Sequence, residues 1–392
     1  MAGATGVTTL ASLFTLLANI LIYRILPGPQ AGQFALLVSL VRFLPVLATF
    51  GQPALMMRLY SHQPAGHYHW PRDLAGMMGF SLPLFALVTA STTLLYRLAL
   101  WEIAFVVAGV FLLSLALAVA NLLNAQRHYV WAVLLLRLPN SLMIIPAVLV
   151  MLLPRLAGVG TLLAAQLLAI GVTLGIGVAL LAHRSPIGAE AIPVRLRWQG
   201  LGFGFLSGTN LLLDQGLVAI AGAVVPPGPL AAFAAVETLI RPLYTLQGIS
   251  RYTLAVETVR HRQMKVTATL LSLLGLAAVV GVVLALLLPA LIPVVYAGRY
   301  DDYIGLALPV VLMGSLLLAE AFPRSFVIGR APLDRLNLYT ASQVLVALIG
   351  LGLVVGLGMR QGIMGAAWAG AITALLRALS AYSFYFYLRP LS

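Results

Sequence analysis

The 392-residue sequence contains no cysteine, which excludes disulfides, thiolate metal sites and cysteine nucleophiles together. It has little charge: 8% of its residues are charged, against roughly 25% in a soluble domain. Lysine is reduced to Lys265, so no Gly-x-x-x-x-Gly-Lys-Ser/Thr phosphate loop can be built. Ten-residue segments of alternating polarity, the mark of a membrane barrel, are also missing. Large polar loops are missing too, the longest stretch between apolar segments being His183 to Gln199. An integral membrane glycosyltransferase, which needs carboxylates in a sizeable loop or cavity, is disfavoured on that ground.

What fills the chain is apolar, with 61% hydrophobic residues. Spans of roughly 20 to 25 residues with short turns place helices near 5–26, 31–57, 73–97, 99–123, 130–153, 158–182, 200–224, 229–255, 266–290, 303–322, 336–358 and 363–387. The expected fold class is an all-α polytopic membrane protein, with twelve transmembrane helices in two six-helix lobes. The first segment has no basic n-region, is of span length and turns through Pro27-Gly28-Pro29 into a second span. It therefore reads as a retained helix rather than a cleaved signal.

The formal charge of +13 does not point to nucleic acid, because the arginines are scattered and form no basic tail or motif. Orientation accounts for most of them. With both termini cytoplasmic, thirteen Lys and Arg residues fall in inner loops and the C-terminus, Arg197 and Arg324 among them. Five, namely Arg24, Arg97, Arg155, Arg299 and Arg360, fall outside. That asymmetry follows the positive-inside rule and requires an even number of spans.

Pro27-Gly28-Pro29, Phe34 and Arg42 return as Pro227-Gly228-Pro229, Phe233 and Arg241, an offset of 199 to 200. Gln126-Arg127 similarly matches Gly329-Arg330. The chain then divides into an N-terminal lobe at 1–182, a cytoplasmic linker at 183–199 and a C-terminal lobe at 200–392. Six spans per lobe make the repeat parallel, with substrate expected between lobes that rock to alternate access. Pro45 and Pro242 closely follow the duplicated arginines, and bends are expected there.

Charges inside spans cost at least about 2.5 to 3.5 kcal/mol on insertion scales, so each needs a partner or a wet cavity. Arg42, Arg241 and Arg377 lie deep in their spans, Arg137 nearer the inner surface and Arg251 close to the inner mouth. The span carboxylates are Asp214, Glu237, Glu320 and Glu102, the last being the sole one expected in the first lobe. Glu237 with Arg241, and Glu320 with Arg324, are four apart and share a helix face. Arg42 has Val38 at that spacing, so its expected partner is Asp214 or an anionic ligand. Arg42, Arg241, Arg137 and Arg377 are therefore the candidate substrate-binding residues, and Asp214 and Glu237 the candidates for charge pairing or ion coupling. Guanidinium offers permanent charge and bidentate donors, which suit a phosphate or another anion. His62, His67 and His69 lack a ligand spacing, so neither a metal nor another cofactor is expected. Tyr382, Phe384, Tyr385, Phe386 and Tyr387 read as an aromatic belt at the inner interface.

The run from Ile25 to Leu36, Ile-Leu-Pro-Gly-Pro-Gln-Ala-Gly-Gln-Phe-Ala-Leu, resembles the loop between the first two helices of O-antigen-type polysaccharide-unit flippases. Thr49 to Leu55, Leu123 to Arg127, and Asp214 followed by Pro227-Gly228-Pro229 and Phe233 are similar to other parts of that family. Its superfamily also holds multidrug and toxin extrusion carriers and the lipid II flippase. The resemblance implies a bacterial inner-membrane protein with cytoplasmic termini. Its cargo would be an undecaprenyl-diphosphate-linked oligosaccharide, or a related anionic glycolipid, carried from inner to outer leaflet. Expected partners are membrane lipids, a polysaccharide polymerase and glycosyltransferases. The chain is short for such flippases, and Ala232 stands where the first repeat has Gly32.

Other readings are an ion-coupled exporter of small molecules or drugs from the same superfamily, and a non-transporting membrane partner of glycan assembly. A major-facilitator carrier would require Gly-x-x-x-Asp-Arg-x-Gly-Arg-Arg near Arg58 to Arg72, where it is absent.

Overall fold

In the computed structural model of the protein, residues 2–63, 67–200, 216–260 and 266–388 are described. Their regular structure is helical apart from one isolated parallel bridge between Tyr68 and Glu190. Two compact units are formed, Met1–Ala223 and Val224–Ser392.

The first unit contains α1 (Ala2–Ile25), α2 (Gly28–Thr49), α3 (Gln52–His62), α4 (Trp70–Tyr96), α5 (Leu100–Ala125), α6 (Tyr129–Ser141), α7 (Ile144–Leu152), α8 (Val159–Arg184) and the short α9 (Val194–Arg197) and α10 (Leu217–Gly222). The second contains α11 (Pro227–Arg260), α12 (Val266–Tyr296), α13 (Ala307–Ala319), α14 (Ala321–Arg330) and α15 (Leu333–Leu388). Segment 183–199, expected to join the lobes, lies within the first unit.

Among the described residues, nine stretches are long and apolar enough to cross a membrane. Leu82, Leu87, Leu94, Leu286 and Val294 are each more than 60% exposed on α4 and α12. Apolar surface on that scale is incompatible with water, so these helices face lipid and the protein is a multi-pass membrane protein. The last stretch, Asp334–Leu388, has 55 residues, about 80 Å of helix at ~1.5 Å per residue against a hydrocarbon core of about 30 Å. It is two helices meeting at Gly362, where φ is 62° and ψ is −144°. A side chain is essentially forbidden in that region. Gly365 completes the turn, since a Cβ there would lie 2.2 Å from the Leu357 carbonyl oxygen.

Helix interruptions coincide with some of the span prolines and not with others. Pro45 and Pro242 lie inside continuous α2 and α11. The expected span 31–57 is instead broken at Phe50 and Gly51, both left-handed with φ of 47° and 70°. Two other breaks are proline effects displaced by one turn. Pro146 has no N–H for the Leu142 carbonyl, and α6 ends at Ser141. Pro323 has none for Ala319, where α13 ends, and the freed carbonyl accepts from the Tyr382 hydroxyl at 3.0 Å. The aromatic run near the end of α15 is thus only partly a belt. Tyr385 is fully buried against Phe322 and Phe326 at ring separations of 5.8 and 5.1 Å, whereas Phe386 and Tyr387 are exposed.

Candidate functional site

In the first unit α2 is deeply buried, with Leu37, Val38, Leu40 and Val41 forming its core face. Val41 enters a notch on α5 made by Gly109, where an added Cβ would lie 2.7 Å from the valine Cγ2. This close packing fixes the backbone beside Arg42, which is half-buried. Arg42 Nη2 donates to Asn140 Oδ1 on α6 at 2.6 Å, so a neutral amide orients the guanidinium. Arg137 lies one turn earlier on α6 and is exposed, and its i,i+3 spacing from Asn140 puts both on one side of that helix. Ser141 Oγ fixes this part of α6 by donating to Ala11 O of α1 at 3.0 Å.

The second unit repeats the packing around its own arginine. Ile240 and Leu243 of α11 meet Gly314 of α13, where a Cβ would lie 3.1 and 3.0 Å from their Cδ1 atoms. Arg241, between them, is half-buried, as is Glu237 one turn earlier. Each duplicated arginine thus directly follows a residue that packs on a glycine of a neighbouring helix.

Arg377 occupies a different environment. It is fully buried, and its Nε lies 2.9 Å from Glu320 Oε1, the same oxygen that Arg324 Nη1 approaches at 3.2 Å. The four-residue spacing of Glu320 and Arg324 was legible, but Arg377, 57 positions beyond Glu320, was not legible as a third member. Arg324, expected as an inner-loop charge, is itself buried. Asp214 lies outside the described residues, as does the side chain of Arg251.

The first unit also holds a buried carboxylate that no sequence spacing marks. Asp73, at the start of α4, is fully buried and pairs with Arg197 Nη2 at 3.1 Å. It also accepts from the Tyr60 hydroxyl at 2.7 Å and the Ile192 N–H at 2.8 Å. Burial raises the Tyr60 phenol well above its ordinary pKa, with Asp73 adding to the rise. Burial lowers that of Arg197, and Asp73 opposes the change. No spacing rule reaches from residue 73 to 197. Glu102, by contrast, serves its own helix: it accepts from the Ala99 N–H at 2.6 Å and from Gln33 Nε2 of α2. His69 caps α4 by accepting from Arg72 N–H at 3.2 Å, and His67 lies 3.4 Å from Glu190.

No protein-family model and no curated protein sequence matches the chain. Solved structures do, and they give it the fold of the multidrug/oligosaccharidyl-lipid/polysaccharide exporter superfamily. The lipid II flippase MurJ, in an inward closed conformation, aligns over 96% of this chain and 86% of its own with a TM-score of 0.75 and 14% identity. An inward-facing multidrug resistance MATE transporter aligns over 97% and 96%, with a TM-score of 0.66 and 14% identity. A superfamily transporter from Pyrococcus furiosus, described by a reversed polarity of its binding pocket that suggests a different function, aligns over 99% and 93% with a TM-score of 0.62 and 14% identity.

Proposed function

We propose that the protein is a flippase that moves an undecaprenyl-diphosphate-linked oligosaccharide, or a related anionic glycolipid, across the bacterial inner membrane by alternating access. In this reading twelve spans form two parallel six-helix lobes, at 1–182 and 200–392, with both termini cytoplasmic. The paired glycine notches beside Arg42 and Arg241 support the duplication. The observation that carries the anionic cargo is Arg42: a cation on a deeply buried helix, oriented by the neutral Asn140, with Arg137 exposed nearby. Arg42, Arg241 and Arg137 bind the diphosphate or acidic sugars, the expected fourth member Arg377 being buried against Glu320; the polyprenyl chain stays in lipid, and Asp214 and Glu237 pair with arginines in the empty state. The likeness to a lipid II flippase accords with a lipid-linked cargo.

Purified protein in vesicles tests the reading. Wild type is expected to translocate a fluorescent lipid-linked diphosphate saccharide, and Arg42→Ala to lose that activity; retention of full activity by the variant would rule out the arginine mechanism. The MATE likeness favours a second reading, an ion-coupled small-molecule exporter. Uptake of an organic cation driven by an imposed ion gradient, with no movement of the glycolipid, would select it.

A further inference from the structure

Residues Ser185–Gln199 leave the end of α8 and are bound back onto the first unit along much of their length. Ser185 Oγ donates to Gln126 Oε1. The Gly188 N–H donates to the Tyr68 carbonyl at 3.0 Å, and the His69 N–H to the Glu190 carbonyl at 2.6 Å. Ile192 is buried in an apolar cluster with Trp70, Leu74 and Met77. Arg197 then runs over Gly76, where a Cβ would lie 2.6 Å from its Nη2, and its carbonyl accepts from Gln52 Nε2 at 2.7 Å.

Asp73 is the point at which these contacts converge. Its carboxylate takes donors from the segment at Ile192 and Arg197 and from α3 at Tyr60, and both members of the ion pair are nearly inaccessible. A surface ion pair would exchange easily with water. Release here would break the backbone bonds, uncover Ile192 and part a buried carboxylate from its guanidinium at once.

We infer that 185–199 is a fixed strap, anchored on Asp73, that travels with the first unit through the transport cycle and does not open as a gate. The part concerning the cycle rests on the transport reading above; the anchoring does not.

The absence of native cysteine permits a clean thiol test in opened membranes. Ile192→Cys should react with a bulky polar maleimide at least roughly tenfold more slowly than Glu190→Cys, because only local opening exposes it. In an Asp73→Ala background the difference should vanish. Fast labelling with Asp73 intact, or protection that survives Asp73→Ala, would overturn the strap. If Asp73→Ala fails to accumulate, a second experiment decides. His67→Cys/Glu190→Cys protein is cross-linked with a short bis-maleimide in proteoliposomes, and glycolipid translocation is followed before and after. Unchanged translocation is expected, and arrest by the cross-link would overturn the proposal. Translocation absent even before cross-linking counts against the transport reading alone and leaves Ile192→Cys protection as the measure of the strap.

Discussion

Arg42 and Glu320 show two ways of accommodating charge inside a membrane protein. Arg42 is half-buried and donates to the amide oxygen of Asn140, which helps to direct the guanidinium. Glu320 is fully buried at a helix break with Arg324 and Arg377 beside one of its oxygens, so its charge is engaged structurally. Removing one member of such a cluster strands the others, at a cost of about 3–5 kcal/mol. Glu320→Gln should therefore lower the thermal unfolding midpoint in detergent clearly, although the side-chain size is kept. Tyr60→Phe removes a hydrogen bond to a buried carboxylate, for which about 1.5–3 kcal/mol is expected. Denaturant unfolding of Tyr60→Phe checks this, and the buried Asp73 carboxylate left with one donor fewer makes a loss, not a gain, the predicted sign. These charges differ in how far they could be read from the sequence. Glu320–Arg324 follows from a four-residue spacing. Arg377 and the Asp73–Arg197 pair do not, because the chain contacts that create them are set by packing at long range.

At the scale of elements, continuous apolar runs gave the helices, but their interruptions depended on backbone details. Pro146 and Pro323 act one turn back, where a carbonyl loses its donor, while Pro45 and Pro242 leave their helices unbroken. The division of Asp334–Leu388 depends on Gly362 and Gly365, whose demands arise from positive φ and from close approach to a carbonyl. Gly362→Ala should cost about 1–3 kcal/mol through backbone strain, and Gly365→Ala should destabilise through collision with Leu357. Gly356 has no atom within 4 Å of an added Cβ. Gly356→Ala is therefore expected to be neutral or to stabilise by about 0.5–1 kcal/mol. Unfolding midpoints measured in one detergent should fall below wild type for Gly362→Ala and Gly365→Ala and not for Gly356→Ala; an equal loss at Gly356 would show that helix packing, not the turn, sets the glycine requirement.

For the whole molecule, the similar sequence segments around Arg42 and Arg241 also share a packing feature: Val41 lies on Gly109 and Ile240 on Gly314, each directly before its arginine. The two copies are nevertheless chemically unequal. Glu237 stands one turn before Arg241, whereas Val38 occupies that place before Arg42, and Asn140 supplies Arg42 with an uncharged acceptor. A carboxylate one turn earlier on the same helix competes with an anionic ligand for the Arg241 guanidinium, and Val38 offers no such competition at the equivalent place before Arg42. Arg42→Ala should consequently impair translocation of a diphosphate-linked glycolipid more than Arg241→Ala does. If Arg42 makes a charge-assisted bond worth about 1.5–3 kcal/mol to the cargo, its loss lowers the apparent affinity roughly ten- to hundredfold. Initial rates at several glycolipid densities in vesicles separate this from misfolding, since higher density restores the rate when affinity alone has fallen. Asn140→Asp sharpens the comparison. It preserves the size of the acceptor but adds a charge beside Arg42, so it should impair anionic cargo while leaving the unfolding midpoint near that of wild type. Equal defects in Arg42→Ala and Arg241→Ala, together with normal transport by Asn140→Asp, would mean that the two copies bind cargo symmetrically and that local charge does not distinguish them.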